Sequence, residues 1–324
     1  MIVSVVLVTW NSARFLPECL RSLSMQSLPS ERLVVVDNGS TDESVRLVRA
    51  AWPGALIVEQ GENTGYSHAN NEGIARAGGD AVLLLNSDII LEPDYLERAA
   101  AVLSSGARVG SVQGKLLRYD GVTLDTTGQF LSRGRRVRER GYGERDRGQH
   151  ETAGPVFSVC TAAALLRREM IEDVSLAGRY FDDRYFAYGE DLEAGWRARN
   201  AGWIARYEPL ARARHYRGGS AGAPRRRFAL LSRPGPLRVH ILKNRWLTLL
   251  MNDRPRHWLR DLPWILPQDL MTAAAAVISG PRVSAGVMRS VGLWPGALRR
   301  RRDFFSRLGR HGARIARDPM EAPA

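Results

Sequence analysis

Short apolar runs alternate with helix-like stretches over the first 110 residues. Between the runs, apolar side chains recur with the spacing of one helix face, most clearly over residues 15–23. The runs themselves are β-branched and uninterrupted, which is typical of strands buried on both faces. Four such strand–helix units predict a mostly parallel sheet with right-handed crossovers. The predicted strands are Ile2–Val8, Leu33–Val36, Leu56–Val58 and Ala81–Leu85.

A polar segment follows each of these predicted strands, directly in three cases and after three residues in the case of Leu56–Val58. In open sheets of this kind, ligands bind beyond the carboxyl ends of the strands. Because parallel strands end at the same edge of a sheet, we expect the four segments to converge on one site. They span residues 9–11, 37–42, 62–65 and 86–88.

The pattern after residue 110 is less regular. Residues 111–150 are rich in Gly and Arg, which predicts hairpin-like structure with little core. A helix is predicted for residues 191–200, and amphipathic helices with basic faces are predicted towards the C-terminal end. We therefore predict a catalytic domain over residues 1–250 and a basic helical extension over residues 251–324.

The composition excludes several classes of protein. With 324 residues, 44% hydrophobic and 25% charged, the chain is able to bury a sizeable core and is not disordered as a whole. Its two cysteines, Cys19 and Cys160, cannot build a disulfide scaffold or a multi-cysteine zinc site. The most apolar C-terminal stretch, residues 262–279, is interrupted by prolines and polar residues, so no membrane-spanning helix is predicted. The start lacks the basic segment of a secretion signal, which favours the cytoplasm.

The charge is unevenly distributed along the chain. Residues 1–110 carry 8 basic and 13 acidic side chains, whereas residues 210–324 carry 23 basic and 6 acidic ones. In a nucleic-acid-binding protein we would expect the positive charge to extend over the folded core, so no nucleic-acid partner is predicted. An acidic N-terminal part with a basic C-terminal end is more typical of a catalytic domain with an electrostatic anchor.

Four motifs occur in order within this framework. They are V-V-D-N-G-S-T-D at 35–42, N-T-G-Y-S-H-A-N-N-E-G-I at 63–74, L-N-S-D at 85–88 and Y-G-E-D at 188–191. Each motif is short, but their order and spacing are specific. Residues 2–250 resemble the inverting glycosyltransferases of family 2, and especially their bacterial rhamnosyltransferase-like branch. The resemblance implies a GT-A fold, an α/β Rossmann-like fold with a mostly parallel central sheet flanked by helices.

The resemblance also implies a set of residues that bind the nucleotide of a sugar donor. Asp37 matches the carboxylate that accepts the imide N–H of uracil or thymine, and Thr9 lines the same base and ribose pocket. Asn11 and Ser87 complete this part of the expected donor site. The alternative for Asp37 is a purely local role, because Asp-Asn-Gly is a favourable turn sequence.

Two further residues, Asn63 and Gly65, stand at the start of a predicted helix. The free N–H groups of a helix N-terminus are suited to binding a phosphate, so both residues are expected at the donor diphosphate. The alternative is a helix cap with a closely packed glycine. Both interpretations remain open at this point.

A metal site is implied by the position of Asp88 at the end of Asn-Ser-Asp, where the family has a metal-binding aspartate. His215, in the pattern H-Y-R-G-G-S, resembles the family's further ligand, although a histidine in an arginine-rich loop is also typical of a solvated surface. Mn²⁺ or Mg²⁺ would neutralise the donor diphosphate as it leaves. Asn86 stands where many relatives have a second aspartate, so only one carboxylate is offered there.

The pair Glu190–Asp191 is the candidate for the chemistry. Inversion by direct displacement needs one carboxylate to take the proton of the acceptor hydroxyl. The resemblance assigns this role to Asp191 and an acceptor-orienting role to Glu190, while Glu193 replaces a further aspartate of the family. The alternative is a helix N-terminus with acidic residues that the helix dipole favours.

The expected reaction follows from the same resemblance. Processive synthases carry Q-x-x-R-W and membrane helices, whereas residues 242–246 read L-K-N-R-W, which favours transfer of a single sugar. The expected donor is dTDP-L-rhamnose, and the expected acceptor is a saccharide, polyprenyl-linked, in cell-envelope polysaccharide synthesis. The alternatives are a UDP-linked galactofuranose, glucose or N-acetylglucosamine donor, and a non-catalytic relative that only binds nucleotide-sugar or glycan.

The basic C-terminal part predicts peripheral attachment to the inner face of the cell membrane. Aromatic residues interleave with arginines there, as they do in interfacial helices. A solvated charged face and a nucleic-acid contact are the alternatives, and no base-reading motif supports the second. The aromatic residues expected at the membrane are Trp258, Trp264, Trp294, Phe304 and Phe305.

Overall fold

A computed structural model describes residues 1–217, 230 and 233–315 of the chain. The Gly-Gly-Ser segment after His215, residues 218–220, lies outside the described residues. The strands are β1 (Val3–Thr9), β2 (Arg32–Asp37), β3 (Leu56–Glu59), β4 (Ala81–Asn86), β5 (Ile89–Leu91), β6 (Val109–Arg118), β7 (Leu124–Thr126), β8 (Gln129–Leu131), β9 (Val137–Glu139), β10 (Gly154–Val156), β11 (Ala163–Arg167) and β12 (Ile204–His215).

Ten α-helices are found in the described part of the chain, with a short 3₁₀ turn at Ser290–Leu293. All four predicted strands and the helices between them are present. The helices are α1 (Leu16–Ser24), α2 (Ser44–Ala51), α3 (Tyr66–Arg76), α4 (Tyr95–Ser104), α5 (Arg168–Val174), α6 (Glu190–Asn200), α7 (Gly235–Asn252), α8 (Pro255–Ile278), α9 (Pro281–Arg289) and α10 (Trp294–Ile315).

The central sheet has the order β10-β12-β6-β11-β4-β1-β2-β3, with β5 paired to β12 and β7 to β6. Strands β3, β2, β1 and β4 are parallel to one another, as the sequence predicts. Beyond β4 the pairing changes, because β11 is antiparallel to both β4 and β6. Strand β5, which follows the end of β4, pairs antiparallel with β12, and this pairing places His215 opposite Ile89.

Strand β6 corrects the prediction that residues 111–150 contribute little core. It lies in the middle of the sheet between β12 and β11, and its first eight positions are buried. Its apolar pattern is broken by glycines that the packing requires. A side chain at Gly114 would put a Cβ 1.9 Å from the carbonyl oxygen of Ala211 on the neighbouring strand. The remainder of the segment does form hairpin structure, with β8 antiparallel to β9.

The C-terminal helices pack against the catalytic part of the chain. Helix α7 contacts α6, α9 and α10, and Phe304 on α10 is buried among core residues on one face of the sheet. The expectation that Phe304 faces a membrane is therefore wrong, since only 2% of its surface is exposed. Phe305 packs beside it, and Trp294 packs against the cluster that contains Tyr185. Among the described helices, none has the combination of length and hydropathy needed to cross a bilayer.

Candidate active site

A cavity of about 1150 Å³ opens beside the carboxyl end of β4. Much of its wall comes from the loop before α6 with the first turn of that helix, the β8–β9 hairpin, and helices α7 and α8. The end of β4, residues 160–162 and the end of β12 complete it. The side chains used below that line it are Asn86, Gln129, Glu139, Cys160, Glu190, Asp191, His215, Arg217 and Arg245. The cavity therefore joins residues from both the predicted catalytic domain and the predicted extension.

The predicted base-binding residues lie together at the ends of two neighbouring strands. Thr9 and Asp37 are register partners in the parallel pairing of β1 with β2. Asp37 accepts the backbone N–H of Ser40 at 3.0 Å through Oδ2. Its Oδ1 and the Oγ1 of Thr9 are buried without a hydrogen-bond partner among the described residues. Since buried polar atoms are normally paired, these two atoms mark a place that a bound polar group would complete.

Asn11 and Ser87 are engaged in contacts within the protein. The Asn11 side chain accepts the N–H of Thr41 at 2.8 Å, which joins the loops after β1 and β2. Ser87 donates its hydroxyl to that of Ser12 at 2.9 Å. Both residues shape the loops around the predicted donor site, and their direct contact with a donor stays a prediction.

At the start of α3, the structure supports the packing role of Asn63 and Gly65. The Asn63 side chain accepts the N–H of Gly65 at 3.0 Å, and the N–H of Tyr66 is donated to the carbonyl of Phe186 at 2.7 Å. Gly65 has a φ of +89°, and a Cβ at this position would lie 2.6 Å from the Phe186 carbonyl oxygen. Because these first N–H groups are already paired, the phosphate role stays a prediction without structural support.

The two predicted metal ligands face each other. Nε2 of His215, at the end of β12, lies 3.4 Å from Oδ1 of Asp88, which follows β4. The other ring nitrogen, Nδ1, is hydrogen-bonded at 2.8 Å to Oδ2 of Asp125, a fully buried residue on β7 that also binds Arg217. Burial opposes the charge of the imidazole, but the bonds to Asp125 and Asp88 raise the pKa of His215 to about 9.

This donor set fits a divalent cation bound to a diphosphate. One carboxylate and one imidazole nitrogen converge on a point, and the phosphate oxygens of a donor would supply hard ligands. Metal-bound histidines usually donate their second N–H to a carboxylate, and Asp125 occupies that position behind His215. Sequence analysis missed Asp125 because no motif surrounds it.

The acidic pair begins helix α6 and is held inside the cavity. Burial, followed by the charge of Asp191, raises the pKa of Glu190 to about 8. Burial also raises the pKa of Asp191, although hydrogen bonds from Leu192 and Gln129 lower it. Oε2 of Glu190 has no hydrogen-bond partner among the described residues. Two adjacent carboxylates with raised pKa values in a cavity are typical of a site for proton transfer.

Glu193 has a structural role instead. It is fully buried and forms an ion pair at 2.9 Å with Arg197, one turn along α6. Asn252, at the end of α7, donates to the same carboxylate at 3.3 Å. Glu193 thus fixes the helix that carries Asp191 and does not line the cavity.

The K-N-R-W string on α7 supports the walls of the cavity. Asn244 donates to the carbonyls of Ala187 and Tyr188 at 3.0 and 2.6 Å, directly before the acidic pair. Arg245 pairs with Asp269 on α8 at 2.8 Å and donates to the carbonyl of Gly134 at the tip of the β8–β9 hairpin at 3.0 Å. The string therefore connects the loop before α6, the hairpin and α8.

The architecture defines the class of the protein. A sheet whose N-terminal half is parallel, with helices packed around it, is the GT-A fold of glycosyltransferases, enzymes that take sugars from nucleotide-sugar donors. The chain belongs to glycosyl transferase family 2, whose description matches residues 4–175. The predicted fold class and enzyme class are thereby confirmed.

One relative in sequence and two solved structures are similar to this chain. The chain is 28% identical over 253 residues to an N-acetylglucosaminyl-diphospho-decaprenol L-rhamnosyltransferase of Mycobacterium tuberculosis, covering 68% of this chain and 78% of the relative. Among solved structures, GalNAc-T7 with UDP, GalNAc and Mn²⁺ has a TM-score of 0.65 at 14% identity, over 94% of this chain and 55% of the other. S. aureus TarS with UDP-GlcNAc has a TM-score of 0.58 at 18% identity, over 96% and 91%. The two structures establish the shared GT-A fold.

Proposed function

We propose that the protein is an inverting, non-processive glycosyltransferase. It transfers one sugar, L-rhamnose from dTDP-L-rhamnose, to a polyprenyl-linked saccharide in cell-envelope polysaccharide synthesis. The observation that carries the transfer chemistry is the buried position of Asp191 in the cavity that His215 also lines. The sugar and the acceptor rest on the likeness to the mycobacterial rhamnosyltransferase, which covers 78% of that relative.

The proposed reaction is a single displacement. Asp191 takes the proton of an acceptor hydroxyl while that oxygen forms a bond to the anomeric carbon of the donor sugar. The bond from the anomeric carbon to the diphosphate breaks on the opposite side, and the nucleoside diphosphate leaves with the electron pair. A divalent metal held by Asp88 and His215 would neutralise charge on that diphosphate. Thr9 and Asp37 would hold the base at the far end of the donor.

Donor binding provides the first test of this proposal. We expect dTDP-L-rhamnose and dTDP, each with Mn²⁺ or Mg²⁺, to raise the unfolding temperature of the purified protein. A ligand that binds only the folded state stabilises it by about 2.7 kcal/mol at 100 times its Kd. UDP-glucose, UDP-galactose, UDP-galactofuranose, UDP-N-acetylglucosamine and UDP complete the panel.

The matched control is Asp37→Asn, which keeps the size of the side chain but replaces a base-recognising oxygen by an amide. This variant should fold and lose the nucleotide-dependent shift. A response to UDP and not to dTDP would replace the rhamnose donor by one of the UDP-linked alternatives. A protein that is stabilised by none of these ligands would contradict the assignment of the donor site.

Helix α8 is the proposed contact with the membrane surface. Four exposed apolar residues, spaced seven, four and seven positions apart, lie on one side of it, and Trp264 is a further exposed aromatic residue of the helix. Exposed arginines lie on α8 itself and on α9. An apolar helix face flanked by cations is suited to the interface of an anionic bilayer, where each basic residue contributes about 1 kcal/mol. The side chains proposed at the membrane are Leu259, Leu266, Leu270, Val277 and Trp264, with Arg256, Arg260, Arg282 and Arg289 beside them.

Vesicle binding tests this surface. The protein should co-sediment with phosphatidylglycerol vesicles at low salt, and the double variant Leu270→Glu/Val277→Glu should lose most of that binding. Leu210→Glu is the matched control, since Leu210 is 50% exposed on β12 in the catalytic part. If the control and the α8 variant sediment equally with the vesicles, α8 is not the membrane contact.

A further inference from the structure

We propose that Glu139 is an acceptor-binding residue and that Gln129 is a positioning residue for Asp191. Both lie on the β8–β9 hairpin, outside the motifs that define the family resemblance. Glu139 would bind the acceptor hydroxyl next to the one that Asp191 deprotonates, so the pair would select a saccharide with two neighbouring free hydroxyls. This inference rests on the proposed function, because it takes Asp191 as the base.

The side chain of Gln129 joins the two carboxylates. Its Nε2 donates to Oδ2 of Asp191 at 2.7 Å and to Oε1 of Glu139 at 2.9 Å. Its Oε1 accepts the hydroxyl of Ser158 at 2.6 Å, which fixes which way the amide points. Because a primary amide has only two N–H donors, Gln129 uses both on these acids. The residue is buried, and its backbone is paired with residues 157 and 158.

Asp191 is therefore held through both of its oxygens. Oδ1 accepts the N–H of Leu192 at 2.7 Å, while Oδ2 accepts Gln129. These bonds favour the charged form of the carboxylate and prevent its rotation. Each oxygen retains a further lone pair, so the carboxylate is still able to accept a hydroxyl proton from the cavity.

Glu139 lies across the same cavity and has no part in the proposed displacement. Its second oxygen, Oε2, contacts the hydroxyl of Thr126. The acceptor atoms of Glu139 and Asp191 lie within 4.8 Å of each other. Since each carboxylate oxygen reaches a hydroxyl oxygen at ~2.7 Å, this separation suits two hydroxyls on adjacent carbons of one sugar ring.

The sulfur of Cys160 lies within the same 4.8 Å of the acceptor atoms of Glu139 and Asp191. These three residues therefore raise the alternative of a metal site at the same place. The donors of Gln129 argue against it, because one amide already donates to a carboxylate oxygen of both Glu139 and Asp191. Burial also raises the pKa of the Cys160 thiol, which disfavours the thiolate that a metal requires. Burial and the charge of Asp191 raise the pKa of Glu139 to about 7, so this group both donates to and accepts from a hydroxyl near neutral pH.

Deoxy acceptors test the role of Glu139. The probe is a synthetic N-acetylglucosaminyl diphosphoryl lipid with its 3-, 4- and 6-deoxy analogues, and the measurement is kcat and KM for each. With the parent acceptor, Glu139→Gln should lower kcat/KM about 10-fold, mainly through KM, as expected for the loss of a hydrogen bond to a charged group. With the analogue that lacks the neighbouring hydroxyl, the kcat/KM of the wild type should fall by about the same factor. The kcat/KM of the variant should be no lower with this analogue than with the parent acceptor.

The control is Arg138→Gln on the exposed side of the same strand, which should behave as wild type. If Glu139→Gln lowers kcat/KM relative to wild type by the same factor with every analogue, or does not lower it at all, the acceptor contact is overturned. If the wild type binds a donor but transfers to none of these acceptors, the proposed acceptor is wrong. This outcome can be distinguished from a failure of the positioning role, because the pH test of Gln129 below uses donor hydrolysis and needs no acceptor.

The pH dependence of donor hydrolysis without acceptor tests the role of Gln129. The described charged groups around Asp191 are Glu190, Glu139 and Arg217, and the further titratable groups that interact with it are Tyr66, Cys160 and Tyr180. Gln129→Met removes a donor from the charged base, so its pKa should rise and the acidic limb of the rate profile should move to higher pH. Glu139→Gln removes a neighbouring negative charge, so the limb should move to lower pH. If Gln129 had a merely structural role, the acidic limbs of the two variants would shift in the same direction or not at all. Such a result would reject the positioning role.

Discussion

Asp191→Asn is expected to abolish sugar transfer while leaving donor binding intact. Asparagine keeps the size and the hydrogen bond from the Leu192 N–H, but its amide does not take a proton from the acceptor. The loss of a general base is expected to lower kcat by about 10²–10⁴-fold. Transfer rates and nucleotide-dependent thermal shifts, measured on the same preparation, separate the two effects.

The neighbouring acid supplies the sharpest control for this prediction. Glu190→Gln should chiefly raise the KM of the acceptor, since Glu190 is assigned an orienting role. If Glu190→Gln abolishes transfer and Asp191→Asn does not, the two roles are reversed. Asp303→Asn on the surface of α10, where the side chain is 61% exposed, should change neither quantity.

The same pair determines the sign of the pH dependence. A base works only when deprotonated, and burial raises the pKa of Asp191. The rate should therefore fall as the pH is lowered through that raised pKa. Raising the pH removes the proton from Glu190, whose pKa is about 8, so interactions that need its protonated form are lost in the alkaline range.

Asp88→Ala is expected to produce the second large effect, a loss of metal-dependent donor binding. Only one carboxylate is available in Asn-Ser-Asp, so its removal leaves His215 as the one proposed ligand among the described residues. We expect Mn²⁺ affinity in the presence of dTDP, measured by electron paramagnetic resonance of free Mn²⁺, to fall below detection. Transfer should fall with it.

Asp125 permits a graded version of this experiment. Asp125→Asn should weaken Mn²⁺ binding by about 10–100-fold, because a residue that orients a metal-bound histidine typically contributes that much. Asp182→Asn is the matched control, since Asp182 is equally buried but is paired with Arg184 and Arg300 away from the site. Mn²⁺ binding that is the same in wild type, Asp88→Ala and Asp125→Asn would place the metal elsewhere.

The first half of the fold could be predicted from the sequence because its strands are encoded locally. Each apolar run is continuous, and each is followed by a polar segment, so both the parallel pairing and the ligand-binding edge could be predicted. Strand β6 could not be predicted in this way. Its Gly114 and the buried Lys115 break the apolar pattern, and they are explained only by the close approach of β12 and by ion pairs to Asp146 and Glu151.

The sequence by itself determined the family, the strand-end loops and the order of Asp37, Asp88 and Asp191 along the chain. The tertiary structure decided which side chains surround them. Gln129 reaches Asp191 across 62 residues of sequence, and Asp125 reaches His215 across 90. Periodicity specifies which face of an element is buried, but it does not specify which distant element covers that face. These contacts exist only because folding brings the β8–β9 hairpin and β7, which pairs with β6, next to residues that are far away in the sequence.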